Sequence, residues 1–212
     1  MHESIVQNSS LALLGHNGAG KSTLIRFLLG YYKDRSQHVF LERWRSVEPI
    51  DRSQLGYVPE LPYLDNSLTG HETLQFLSQL KKTPYNKSEG EILVQRTGLN
   101  PEDLNKKVSQ YSKGMKQRLL LSQALINQPK VLVLDEPLSG LDPFGHQQIR
   151  SLLLEIKQHT CIIVSTHSLE DAYLLGDRIW LLKEGDFIYQ GEKPNSLEEL
   201  KTLYFKHPPD FN

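Results

Sequence analysis

The sequence predicts an α/β fold: a parallel sheet covered by helices on both faces, with a helical subdomain inserted into it. Three observations carry that expectation. Short runs that are apolar on both faces recur along the chain, as strands buried under two layers of helix require. Stretches with helical periodicity separate them, the pattern of parallel strands joined by crossover helices. Between residues 67 and 128 the alternation stops, and three helical stretches follow one another with no strand between them. One domain is expected, with an α/β core over 1–66 and 129–212 and the helical subdomain over 67–128.

The first strand is "SLALLG" (10–15), followed by a helix over "KSTLIRFLLG" (21–30). "QLGYVP" (54–59) is the second strand. Thr69 and Glu72 form a T-x-x-E capping box ahead of "TLQFLSQLKK". "EGEILVQRTG" is a helix that stops at Gly98. Ser112 is a good N-cap for a helix from Lys113 to about Asn127, before Pro129. "KVLVLDE" (130–136) and "CIIVST" (161–166) are strands, and "RIWLLK" and "DFIYQG" flank Glu184-Gly185 as a hairpin. The tail "KHPPDFN" is expected to fray.

Composition excludes several classes. The 24 basic and 25 acidic residues nearly cancel, which gives no electrostatic footprint for nucleic acid. The single cysteine, Cys161, cannot form an internal disulfide and lies in an apolar run, as a small buried hydrophobe does. The first residues do not have the pattern of a signal peptide. No apolar run reaches the ~18 residues of a membrane span, so any membrane role is expected to come through a partner.

"GHNGAGKS" matches G-x-x-x-x-G-K-S at Gly15, Gly20, Lys21 and Ser22, after a strand and opening a helix. Glycines let the backbone bend so that successive N–H groups face phosphate oxygens. The helix N-terminus adds partial positive charge. Residues Gly15, His16, Asn17, Gly18, Ala19, Gly20, Lys21, Ser22 and Thr23 are therefore the expected nucleotide-binding loop. Lys21 is expected on the β- and γ-phosphates and Ser22 on Mg²⁺. His16 and Asn17 fall at its variable positions. "VLVLDEP" (131–137) is an apolar strand ending in two acids. Asp135 is placed to hold Mg²⁺, and Glu136 to orient and deprotonate an attacking water.

With these motifs in hand, the chain resembles the nucleotide-binding subunit of an ABC transporter. Further segments appear in that family's order: "YVPE" (57–60) at the Q-loop, "YSKGMKQR" (111–118) at the signature, "SGLDP" (139–143) at the D-loop and "STH" (165–167) at the H-loop. The resemblance runs from about Ser10 to Gln190. It implies a P-loop NTPase core and hydrolysis of ATP with Mg²⁺. It also implies a second ATP-binding subunit docked head to tail, so that Ser112 and Gly114 of one subunit close over the γ-phosphate held by the other. His167 is implied as a γ-phosphate contact. The resemblance also implies an integral membrane permease as partner and a cytoplasmic location, peripheral on the inner face of the membrane. No nucleic acid is expected.

The sequence departs from the family in three places. Glu60 stands where the family has glutamine; a carboxylate there still accepts from the water and approaches Mg²⁺, so it is kept with the catalytic and metal residues. The signature reads Y-S-K-G-M, with Lys113 adding positive charge near the phosphate. "YVPE" with this signature resembles the branch that pairs with export-type permeases. Third, relatives carry an antiparallel subdomain that stacks an aromatic ring on adenine. That position lies before Met1, and His2 is the one ring in the first fourteen residues. The antiparallel subdomain is thus expected to be incomplete, with "SLALL" beside an exposed, unpaired edge. The true start is expected upstream, with a naturally shortened subunit that relies on its partners as the alternative. Loss of the stack weakens ATP binding by about 1–3 kcal/mol.

Two other readings remain open on the sequence. One is a soluble ABC-type ATPase acting on DNA or ribosomes, which a coiled coil, zinc module or second ATPase domain would favour. The other is a non-catalytic truncated remnant, which a phosphate-release assay separates from an enzyme. The apolar residues Leu61, Pro62, Tyr63 and Leu64 of "ELPYLDNSL" (60–68) are read either as a packed loop or as a docking edge for the permease.

Overall fold

The structure, a computed structural model, describes residues 9–31, 54–82 and 84–206. Among them six strands form one sheet: β1 (Ser10–Leu14), β2 (Leu55–Val58), β3 (Val131–Asp135), β4 (Cys161–Thr166), β5 (Arg178–Lys183) and β6 (Asp186–Glu192), in the order β2-β3-β4-β1-β5-β6. Every neighbouring pair is parallel except β5 with β6. That last pair is a hairpin whose turn residues, Glu184 and Gly185, have φ of 51° and 88°. Positive φ at both positions matches the twist of the flanking strands.

The helices are α1 (Lys21–Leu28), α2 (Gly70–Leu80), α3 (Lys87–Arg96), α4 (Lys113–Leu125), α5 (Pro143–Ile156), α6 (Leu169–Leu175) and α7 (Leu197–Phe205). The capping box of α2 is formed: Thr69 Oγ1 accepts from Glu72 N at 3.2 Å, and Thr69 N donates to Glu72 Oε2 at 2.7 Å. Gly98, at φ 82°, ends α3 as expected. α4 stops at Leu125, two residues before the expected end, because Asn127 and Gln128 turn the chain with φ of 72° and 48°. Short 3₁₀ turns at Pro101–Asn105 and Val108–Gln110 were not expected.

Strand alternation builds two cores. Ala12, Leu14, Leu132, Leu134, Ile162, Val164, Ile179 and Leu181 face one way and pack on α4 to α7 through Leu121, Ile149, Leu153, Leu175 and Leu200. Leu11, Leu13, Val133, Ile163, Trp180 and Leu182 face the other way and pack on α1 through Ile25. A third cluster, with Leu74, Val94, Leu104, Val108 and Leu119, lies among α2, α3, α4 and the 3₁₀ turns.

The expected exposed edge beside "SLALL" is not found. β1 pairs with β4 on one side and β5 on the other and is buried throughout. Crossover helices bring the later strands β4 and β5 to the two sides of β1, so its pairing does not rest on residues that precede it. His2 lies outside the described residues.

Candidate functional site

Three adjacent strands, β3, β4 and β1, end side by side. Leu14 is paired with Thr166, and Asp135 with Ser165. Gly15, Glu136 and His167, each the residue that follows its strand, therefore gather at the carboxyl edge of the sheet, where open α/β sheets form their crevice.

The first strand feeds the loop Gly15–Gly20. Gly15 passes so close to β5 that a Cβ there would sit 2.6 Å from the Leu182 carbonyl oxygen. Gly20 takes φ 100° as the N-cap of α1, and no side chain caps that helix. Its first N–H groups are thus left to an external acceptor, the physical basis of an anion site. Gly185 N donates to Ala19 O at 3.1 Å and ties the hairpin turn to the loop. Asn17, Gly18 and Thr23 are exposed, and His16 Nδ1 donates to Asn17 O at 2.7 Å.

Lys21 is only 4% exposed. Its ammonium donates to Gly15 O at 2.7 Å and His16 O at 3.1 Å and lies 3.0 Å from Glu136 Oε1. That carboxylate oxygen is buried and has no hydrogen-bond partner, so the Lys21 charge is what offsets its burial. The other oxygen of Glu136 accepts from His167 Nδ1 at 2.9 Å. Glu136 is also one of the few non-glycine residues at positive φ, 48°. A conformation of that kind costs on the order of 1 kcal/mol and persists where the surroundings hold it. Here Lys21 and His167 hold the side chain, and Ser165 Oγ, accepting from Glu136 N at 2.8 Å, holds the backbone.

Asp135 is 2% exposed, and its Oδ1 accepts from Ser22 Oγ at 3.1 Å and from Ser165 Oγ at 2.6 Å. A hydroxyl and a buried carboxylate converging beside the phosphate loop are hard oxygen donors, the set that suits Mg²⁺ with its remaining positions left to phosphate and water. Tyr57, on β2, has its hydroxyl pushed up to about 12 by burial and then by the Asp135 charge. Burial likewise pushes the Cys161 thiol up to about 12, in keeping with the inert role expected of it.

The structure brings Lys21, Ser22, Asp135, Glu136 and His167 together. Glu60 and the signature residues stand apart. Glu60 is exposed beyond β2, and no hydrogen bond or ion pair among the described residues joins it to Asp135 or Glu136. Ser112 caps α4 by accepting from Met115 N at 3.2 Å. It is exposed, and a Cβ on the nearby Gly114 would stand 3.5 Å from the Leu141 side chain. Ser165 was missed as an individual residue by the sequence reading. The signal was its place in "STH", one residue before the strand ends.

The sequence profile of the ABC transporter family matches residues 1–139. The chain belongs to the ABC transporter family. It is 39% identical over 198 residues to the ABC transporter ATP-binding protein YxlF of Bacillus subtilis, covering 92% of this chain and 64% of that one. A second B. subtilis ABC transporter ATP-binding protein, YhcH, is 35% identical over 207 residues, 95% of this chain and 67% of that one. Among solved structures, cbiO1 of Clostridium perfringens, part of the ABC transporter complex cbiONQ, superposes with a TM-score of 0.68 at 28% identity, covering 92% of this chain and 80% of that one. The chain spans 64%, 58% and 54% of the length of three curated relatives that it matches. Among the described residues no helix is long and apolar enough to cross a membrane.

Proposed function

We propose that this chain binds ATP at the loop Gly15–Thr23, hydrolyses it, and powers a membrane permease, in the direction of export, as one of two ATP-binding subunits docked head to tail. The observation that carries the reading is the convergence of Lys21, Asp135, Glu136 and His167 at the ends of three adjacent strands. Lys21 leaves the carbonyls of Gly15 and His16 for the β- and γ-phosphates, whose charge replaces that of Glu136 as its partner. Glu136 then accepts a proton from the attacking water as the water oxygen bonds to the γ-phosphorus. The bond from phosphorus to the bridging oxygen breaks, leaving ADP and inorganic phosphate. His167 steadies Glu136 through its Nδ1 proton, and its half-exposed ring is expected to contact the γ-phosphate. Ser22 and Asp135 would hold Mg²⁺, which would supply charge neutralisation for the phosphate oxygens.

The second half of the site comes from another subunit. Ser112 caps α4 at an exposed end and Gly114 lies in its first turn; both are expected to cover the γ-phosphate of the partner, with residues 67–128 moving as the helical subdomain. Glu60 joins the site only if the segment after β2 swings toward it. Peripheral attachment at the inner face of the membrane follows from the permease contact.

The test is Glu136→Gln, which keeps shape and hydrogen bonding and removes the base. Phosphate release is expected to fall by about 10²–10⁴-fold, with ATP still bound by calorimetry. Hydrolysis at near the parent rate would remove Glu136 from the role of base.

A further inference from the structure

We propose that His146 and Asp171 are positioning residues for the Glu136–His167 pair, clamping the helix that follows one to the helix that follows the other. The inference rests on the reading of Glu136 and His167 given above.

The connectivity forms a closed ring. From Glu136 the chain turns, with Ser139 N donating to Glu136 O at 3.1 Å, and reaches Asp142, which caps α5 by accepting from Gly145 N at 3.0 Å. His146 stands in the first turn of that helix, its N–H donating to Asp142 O at 2.8 Å. From His167 the chain passes directly to Ser168, which caps α6 by accepting from Asp171 N at 3.2 Å. Across the ring, His146 Nε2 donates to Asp171 Oδ2 at 3.0 Å. The catalytic contact, His167 Nδ1 to Glu136 Oε2 at 2.9 Å, closes the other end.

His167 needs such a brace. Its side chain is 51% exposed, so packing does little to fix it. Its place is set by the end of β4 and the start of α6. The two helices already share an apolar contact through Ile149, Leu153, Ala172 and Leu175. That contact holds them together, but apolar packing tolerates small slides. Asp171 is only 2% exposed and costs desolvation that an apolar residue would not. Its Oδ2 accepts from His146, while its buried Oδ1 has no hydrogen-bond partner and is offset by the charge of Arg150, 3.5 Å away and one turn further along α5, whose guanidinium also meets Glu170 at 3.0 Å. A directional charge contact across a packed interface selects one register of the helices. Displacements of about 1 Å in such a geometry can cost on the order of a hundredfold in rate.

The experiment compares His146→Ala, His146→Gln, Asp171→Asn and the double variant His146→Ala/Asp171→Asn with the parent chain and with Glu136→Gln. For His146→Ala and for Asp171→Asn, kcat is expected to fall about tenfold to a hundredfold, while the calorimetric Kd for ATP stays within about twofold because Lys21 is untouched. The double variant is expected to be no slower than Asp171→Asn alone, since that change already weakens the contact that His146→Ala removes, along with the Arg150 ion pair. His146→Gln, which keeps a donor, is expected to recover most of the rate. The clamp is overturned if kcat is unchanged in His146→Ala, if Kd and kcat worsen together, or if the glutamine fails to rescue. If Glu136→Gln hydrolyses ATP normally, the parent reading falls and the clamp falls with it. If Glu136→Gln is inactive but His146→Ala is not, the clamp alone is wrong.

Discussion

Lys21 and Lys113 are both the first residue of a helix, α1 and α4, and both follow a cap residue, Gly20 and Ser112. Their surroundings differ sharply. Lys21 is buried, with two carbonyl oxygens and the Glu136 carboxylate within 3.1 Å of its ammonium. Lys113 is exposed over the D-loop, its ammonium 3.5 Å from where a Gly140 Cβ would stand, and among the described residues it has no ion-pair partner. A cation at a helix N-terminus opposes the helix dipole. In one case the protein offsets that locally; in the other, no ion pair among the described residues does so. The contrast suits the divided site proposed above, in which one half stays folded before ATP arrives and the other would meet phosphate only when a second subunit closes.

The sharpest way to break this contrast is one substitution at both places. Lys21→Met leaves Glu136 buried without its counter-charge, and breaking a buried pair from one side costs about 3–5 kcal/mol. Adding Glu136→Gln should restore much of that stability. Lys113→Met removes a cation that the dipole disfavours and should leave stability unchanged or raise it by about 0.3–1 kcal/mol. Denaturant titration of the three variants reads both signs. A cost at Lys21 below about 1 kcal/mol would mean that the ion pair is not what secures Glu136.

A smaller effect on the fold, with a larger one on assembly, is expected from Ser112→Arg. Loss of the N-cap costs about 1 kcal/mol. ATP affinity of the single chain should be unaltered, since no hydrogen bond or ion pair among the described residues joins Ser112 to residues 15–23. ATP-driven dimerisation and turnover should both be lost. Light scattering with and without ATP, beside calorimetry, checks the two halves separately. A large loss of ATP affinity in the monomer would assign Ser112 to its own subunit's site.

The locked half was legible in the sequence because its residues are local to their motifs. Gly15 to Ser22 lie on one loop, and Asp135 and Glu136 end one strand. What could not be read was the contact between motifs. That His167 meets Glu136, or that Ser165 holds both acids, depends on β3 and β4 being neighbours, and strand order is not written in any single segment. The same blindness produced the mistaken edge at β1. His146 and Asp171 were invisible for a further reason: each looks like an ordinary surface residue of an amphipathic helix until α5 and α6 are packed together.

The exposed region beside Ser112 extends beyond α4 to the segment that follows β2. Tyr63 is 90% exposed and Leu61 57% exposed, so the apolar run after Glu60 is not a packed loop at these two positions. Yet the segment is not slack. Asp65 Oδ1 accepts from Ser67 N and Ser67 Oγ at 2.8 and 2.7 Å, and the Ser67 bonds hold the Asp65 carboxyl below its usual range. Lys116 on α4 donates to Asn66 Oδ1 at 3.0 Å, while Val108 and Ser109, just before α4, donate to Leu68 O and Asn66 O at 2.8 and 3.2 Å. The hydrogen bonds of residues 65–68 thus run to α4 and to the turn before it. This suits the docking edge for the permease proposed above, through which a movement would be expected to reach Ser112 before it reached residues 15–23. Tyr63→Cys should change the stability of the isolated chain by no more than about 0.5 kcal/mol and leave its ATP affinity intact. In native membranes a thiol crosslinker at that position should capture an integral membrane protein. If the cysteine labels only neighbouring residues of this chain, the segment is a rigid but unpartnered loop, and the permease must dock elsewhere.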